Sequence, residues 1–163
     1  MTNNVFALDA NVFIEAARRY YAFDIAPAFW NALITHAEDQ RIVIIDRIMD
    51  EIKRGNDTLA EWITNLKPWC KSTGEDDVIE AYKEIITWAY NQAQFKEEAK
   101  SEFADSPDGW LIAYAKAKGL VVVTHEKLEI NAKKTIPIPN VCEAFHVKYI
   151  DTFNMLRILG IRF

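Results

Sequence analysis

The chain has 163 residues, with 24 acidic against 19 basic side chains for a net charge of −5, and 50% of its positions are hydrophobic. That composition fits an ordinary globular domain with a substantial core, and it excludes a broad basic surface holding duplex DNA through its phosphates. An acidic pocket in which a bound cation meets a phosphate stays open.

An apolar run at 5–8 reads as a buried strand stopped by Asp9, with helix-like sequence from Val12 onward. Residues 27–40 repeat apolar side chains at helical spacing through Phe29, Leu33, Ile34 and Ala37. A second strand at 42–45 runs into a helix that Asp46 can cap and Gly55 ends. Asp57 can cap the next helix, which Pro68 stops. Residues 76–91 form an amphipathic helix with Ile79, Tyr82, Ile86 and Ala89 on one stripe. Pro107 suits the first turn of "DGWLIAYAKAK", and Gly119 closes that helix. A third strand follows at 120–123 and a weaker one at 147–150. The last helix, "TFNMLRIL", is capped by Asp151.

Strands that are apolar throughout suit a sheet covered on both faces, and helices between them give the βαβ alternation. The expected fold is one domain over 1–163, a three-layer α/β/α architecture around a parallel sheet of about four to five strands. No apolar run is long enough to span a bilayer and no basic-then-apolar leader opens the chain, so a cytoplasmic protein with no membrane contact is expected. Cys70 and Cys142 stand far apart without a CxxC pair and read as buried free thiols. His36, His125 and His146 lack zinc-ligand spacing. Trp62, Trp88 and Trp110 lie within helical patterns and read as core or interface residues, not base-stacking platforms.

Ligands of open α/β sheets bind outside the carboxyl ends of the strands. There the chain presents Asp9 after the first strand, Glu51 on the helix after the second, and Glu126 just past the third. Asp105 and Asp108 lie near the start of the preceding helix, three apart, and on a continuous turn they would share a face. Taken singly, each acid can be a cap or a solvated residue. Gathered at one edge, like charges raise one another's pKa or call for a counterion, and Mg²⁺ is the economical one for hard oxygen ligands.

These motifs resemble the PIN-domain family. "LDANVFI" resembles its strand-end "DTNVLI", with Asp9 and Asn11 matching and Ala10 replacing a small polar residue. "DRIMDEIKRG" places Glu51 where the family has an acid, and "DGWLIAYAKAKG" resembles "DALIAATALEHG" at Asp108. "VVVTHE" resembles "VVTNDxDF", with Thr124 matching and Glu126 in place of Asp. The C-terminal half also looks like a bacterial PIN-like subfamily of unassigned function.

The resemblance implies a metal-dependent endoribonuclease acting on single-stranded or structured RNA, commonly the toxin of a toxin–antitoxin pair. It implies Mg²⁺ or Mn²⁺ held by Asp9, Glu51 and Asp108 with Glu126 completing the set. Asp105 would supplement or replace Asp108, while Asn11 and Thr124 would orient water or phosphate. It also implies a protein antitoxin, and a homodimer is possible; the outer side of "AEWITNLKPW" and the 76–91 helix offer candidate faces. Two alternatives stand beside it: a non-catalytic PIN-fold binding module, and a phospho-acceptor signalling domain. Against the second, Asp9 stands without an acidic neighbour and no Lys ends "VKYI".

Overall fold

In the computed structural model, which describes residues 4–163, five parallel strands form one sheet in the order β3-β2-β1-β4-β5. β1 (Phe6–Leu8) is central, between β2 (Ile42–Ile45) and β4 (Val121–Val123), with β3 (Cys70–Lys71) and β5 (Tyr149–Ile150) at the edges. Ala7 lies opposite Val43 on one side and Val122 on the other, so the three inner strands finish along one edge. Every residue of β1, β2 and β4 is buried, as strands covered on both faces must be. Val5 lies just outside β1, yet its carbonyl still accepts the Val121 amide at 3.0 Å.

Nine α-helices flank the sheet among the described residues, in the expected three-layer α/β/α arrangement. They are α1 (Ala10–Glu15), α2 (Pro27–Glu38), α3 (Asp46–Lys53), α4 (Thr58–Trp62), α5 (Asp76–Tyr90), α6 (Glu97–Asp105), α7 (Asp108–Lys118), α8 (Ile138–Phe145) and α9 (Thr152–Leu159). Two of the expected caps form: Asp57 accepts the Ala60 amide at 2.9 Å and Asp151 accepts that of Asn154 at 2.8 Å. Gly119 ends α7 in the left-handed conformation, φ 70°, where a Cβ is disfavoured.

Several expectations change in detail. Asp46 does not cap α3 from outside; it is the first helical residue. Its carboxylate accepts the Thr73 amide at 3.2 Å and the Thr73 hydroxyl at 2.9 Å, tying the β2–α3 junction to the segment after β3. Pro68 does not stop an α-helix. The α-helical hydrogen bonding ends at Trp62, and a 3₁₀ segment, Ile63–Trp69, carries the proline into β3. The fully buried stripe of α5 runs through Val78, Ala81, Ile85 and Ala89, one position before the expected one at all but Ala89. It packs into the core, as does Trp62, which meets Trp30 with ring centroids 4.7 Å apart. The two faces suggested for a groove or dimer therefore supply much of their apolar surface to the interior. Cys142 is buried and Cys70 half-buried, both as free thiols.

Candidate active site

β1 delivers Asp9 to the carboxyl edge of the sheet, where it sits 2% exposed at the turn into α1. The position is that of a helix cap, but the side chain makes no capping hydrogen bond. Its Oδ2 instead accepts the Thr124 hydroxyl at 3.0 Å, across from the end of β4. Thr124 Oγ1 in turn accepts the Glu126 amide at 3.1 Å. Its one hydrogen is directed at Asp9, so Thr124 orients that carboxylate in this structure.

The β4 exit carries Glu126 back toward the edge, where its Oε1 accepts the Ile138 amide at the start of α8, 3.1 Å away. Asp108 is the first residue of α7 and Glu51 lies exposed on α3. Asn11 is exposed on α1, on the same edge as Thr124 and Glu126.

Electrostatics tie the four acids together. Burial pushes Asp9 up from 3.8 to about 7, aided by Glu126 and slightly by Glu51, against the pull of the Thr124 hydroxyl and the Ala10 amide. Asp108 rises to about 8 through burial and then through the charges of Asp9, Glu126 and Glu51. A helix N-terminus favours a carboxylate by only ~0.3–1 kcal/mol, less than one pKa unit of ~1.4 kcal/mol, so burial and neighbours prevail at Asp108. Glu126 is also raised, chiefly by burial, and Glu51, although exposed, is raised by partial desolvation from the protein around its carboxyl.

Asp105 does not join them. α6 ends on Asp105, Ser106 is extended with φ −92° and ψ 163°, and α7 starts afresh at Asp108. The continuous turn expected from the spacing is absent, and Asp105 lies exposed on the other side of the break. Pro107 causes this, because the residue before a proline is driven out of helical conformation. His125 is half-buried and not a free surface residue: its Nε2 lies 3.0 Å from Thr152 Oγ1.

The donor set offered by Asp9, Glu51, Asp108 and Glu126 is all carboxylate oxygen, which fits a hard divalent cation and argues against zinc. Among the described residues, however, no three acidic, His or Cys side chains stand close enough to make a ready-formed metal cage. Mg²⁺ needs only one or two protein carboxylates with water and phosphate in its other positions, so the donors fit it without a closed cage.

The parallel 3-2-1-4-5 sheet with its flanking helices is a PIN-like α/β fold. A chain of VapBC2 from Rickettsia felis, solved bound to a DNA fragment from their promoter, has the same fold; the TM-score is 0.54 at 13% identity, over 90% of this chain and 98% of that one. Residues 6–163 match the family described as Domain of unknown function (DUF4411), and the chain belongs to that family. No curated protein matches it.

Sequence reasoning missed the aromatic wall beside these acids. Tyr20 stands 48% exposed at the end of a π-helical turn, Ala16–Tyr20, with its ring edge-on to Phe153 at a centroid distance of 5.6 Å. A π-turn has no sequence signature to compare with a cap or a glycine stop, and Phe153 lies 133 positions away from Tyr20, so neither points to the other in sequence.

Proposed function

We propose that this protein is a divalent-metal-dependent endoribonuclease that cuts single-stranded RNA, acting in the cytoplasm as a toxin restrained by a protein antitoxin. The observation that carries this reading is the convergence of Asp9, Asp108, Glu51 and Glu126, with the first two held near pKa 7 and 8. Carboxylates kept that high need a positive partner to ionise together at neutral pH. Asp9 and Asp108, the most deeply placed, would hold Mg²⁺ or Mn²⁺, with Glu51 and Glu126 reaching it directly or through water. A cation bound there would acidify the attacking water and offset the charge developing on the phosphate.

The chain's own groups supply the rest. Thr124 fixes the Asp9 carboxylate through its 3.0 Å hydrogen bond, which keeps one oxygen turned to β4 and leaves the other for the site. Glu126 is steadied by the Ile138 amide. Asn11, exposed on α1, can donate to a phosphate oxygen. The likeness in fold to VapBC2, solved bound to a DNA fragment from their promoter, is in keeping with a toxin–antitoxin role; in that role an antitoxin segment would cover the acidic edge. The test is cleavage of single-stranded RNA in Mg²⁺ or Mn²⁺. Activity should vanish in EDTA and in Asp108→Asn; metal-independent cleavage, or full activity in that variant, would reject the reading.

A further inference from the structure

A cavity of about 710 Å³ opens at the same sheet edge and reaches the acids at Glu126; Asn11, Tyr20, Phe153 and His125 also line it. We propose that it is a nucleobase subsite: one unpaired base of single-stranded RNA lies against Tyr20 and Phe153 while the adjoining phosphodiester reaches the carboxylates. The proposal rests on the ribonuclease reading and specifies how the substrate is held.

Three features point to a base. The volume falls within the ~300–1,000 Å³ of small-ligand sites, room enough for a nucleoside. The three rings converge without stacking on one another: Tyr20 meets Phe153 at 79° and His125 at 44°, and His125 meets Phe153 at 57°. None of the three pairs is parallel, and Tyr20 remains 48% exposed, so part of its ring is open to a base. Elsewhere on the molecule the contrast is clear. Trp110 is stacked on Tyr82 at 3.7 Å and 4°, with the Arg47 guanidinium 4.0 Å from its ring centroid, so that pair has little left to offer a base.

The third feature is the framing of the rings. His125 is held by Thr152 at 3.0 Å, which fixes its plane. Lys127, exposed on the same wall, supplies a cation in an otherwise acidic neighbourhood, where a nucleotide's phosphate needs one. Asn11 offers an amide that can both donate to and accept from a base edge. An aromatic wall joined to a charged rail is how single-stranded nucleic acid is gripped without duplex pairing, and stacking tolerates any base because each has a π-face. An antitoxin peptide is the rival occupant. It would favour an elongated apolar groove over a compact cavity that carries an exposed tyrosine ring.

The test measures binding of a fluorescent eight-nucleotide single-stranded RNA by anisotropy, in Mn²⁺, with the full chain carrying Asp108→Asn so that the RNA stays intact. Tyr20→Ala and Phe153→Ala should each weaken binding by about tenfold, and Tyr20→Trp should restore it. An abasic residue is then moved along the RNA. At one position it should cost the Tyr20 protein about as much as Tyr20→Ala does, and should cost the Tyr20→Ala protein nothing further. A merely structural role for Tyr20 would not produce that coupling. Unchanged binding in both alanine variants, or equal abasic losses with and without Tyr20, would overturn the subsite. If the protein that retains Asp108 still cuts RNA in that case, the ribonuclease reading survives. Tyr20-dependent RNA binding without any cleavage by that protein would instead support the subsite and reject the nuclease. Failure to bind RNA, with Tyr20-dependent binding of an apolar Arg-bearing peptide, would overturn it in favour of protein docking.

Discussion

Replacing Asp9 by Asn should stabilise the metal-free protein at pH 8, with a gain that shrinks steadily as the pH falls toward 4. The Asp9 carboxyl titrates at 3.8 when unperturbed and at about 7 in the fold. Between those values the native state binds more protons than the unfolded one, so native stability falls as pH rises. Three units at ~1.4 kcal/mol each set a ceiling of about 4 kcal/mol for ionising Asp9 fully. Part of that belongs jointly to Asp108, whose own pKa of about 8 includes repulsion from Asp9. The expected gain for the variant is therefore on the order of 2–4 kcal/mol at pH 8, or roughly 5–15 °C in Tm for a chain of this size. Asn Oδ1 can still accept the Thr124 hydroxyl, so no buried hydrogen bond is lost. Thermal melts in EDTA from pH 5 to 8.5, wild type beside variant, give the answer. Parallel pH profiles, or a variant less stable than wild type at pH 8, would refute the electrostatic argument. Mn²⁺ should reverse the order by stabilising only the wild type.

Other consequences can be checked in the same preparations. Thr124→Val strands the buried Asp9 oxygen and should cost about 1–3 kcal/mol by urea melts, more at pH 8 than at pH 5 because the ionised carboxylate needs its donor most; it should also push Asp9 further up, seen as a more alkaline pH profile of Mn²⁺ binding. Glu126→Gln removes a repulsive charge while keeping an acceptor for the Ile138 amide, so the Asp9 and Asp108 titrations followed by carboxyl NMR should shift to lower pH. Asp105→Asn should leave Mn²⁺ affinity within twofold of wild type, since the break at Ser106 sets it apart, whereas Asp108→Asn should weaken it at least tenfold. Gly119→Ala, at φ 70°, should lower stability by about 1 kcal/mol with no effect on metal binding.

What could be read from sequence was the part written in local chemistry. Uninterrupted apolar runs separated by helical patterns read as strands buried on both faces, so β1, β2 and β4 stand out, and the residues that follow them mark the edge where ligands collect. Asp57, Asp151 and Gly119 likewise declare themselves as helix ends. β3 gave no signal, because a two-residue, half-buried edge strand made of Cys70 and Lys71 has no periodicity to show. The α5 stripe was misplaced by one residue because Val78, Ile79, Tyr82, Ile85 and Ile86 offer two overlapping apolar faces, and packing against α7 selects between them. Asp105 was grouped with Asp108 by spacing alone, although the Ser106–Pro107 pair already forbids one continuous turn. The aromatic cavity depends on a π-turn and on α9 arriving from the far end of the chain, which is tertiary information.

The measurement that bears most directly on the acid cluster is cleavage of a defined single-stranded RNA. Wild type, Asp9→Asn and Asp108→Asn would be purified identically and assayed in Mg²⁺, Mn²⁺ and EDTA. The account predicts metal-dependent cuts from wild type that leave 5′-phosphate and 3′-hydroxyl ends. It predicts losses of at least a hundredfold in both variants, each of which should remain folded by its melting curve. Equal cleavage in all three samples would contradict it, as would cleavage by wild type that persists in EDTA.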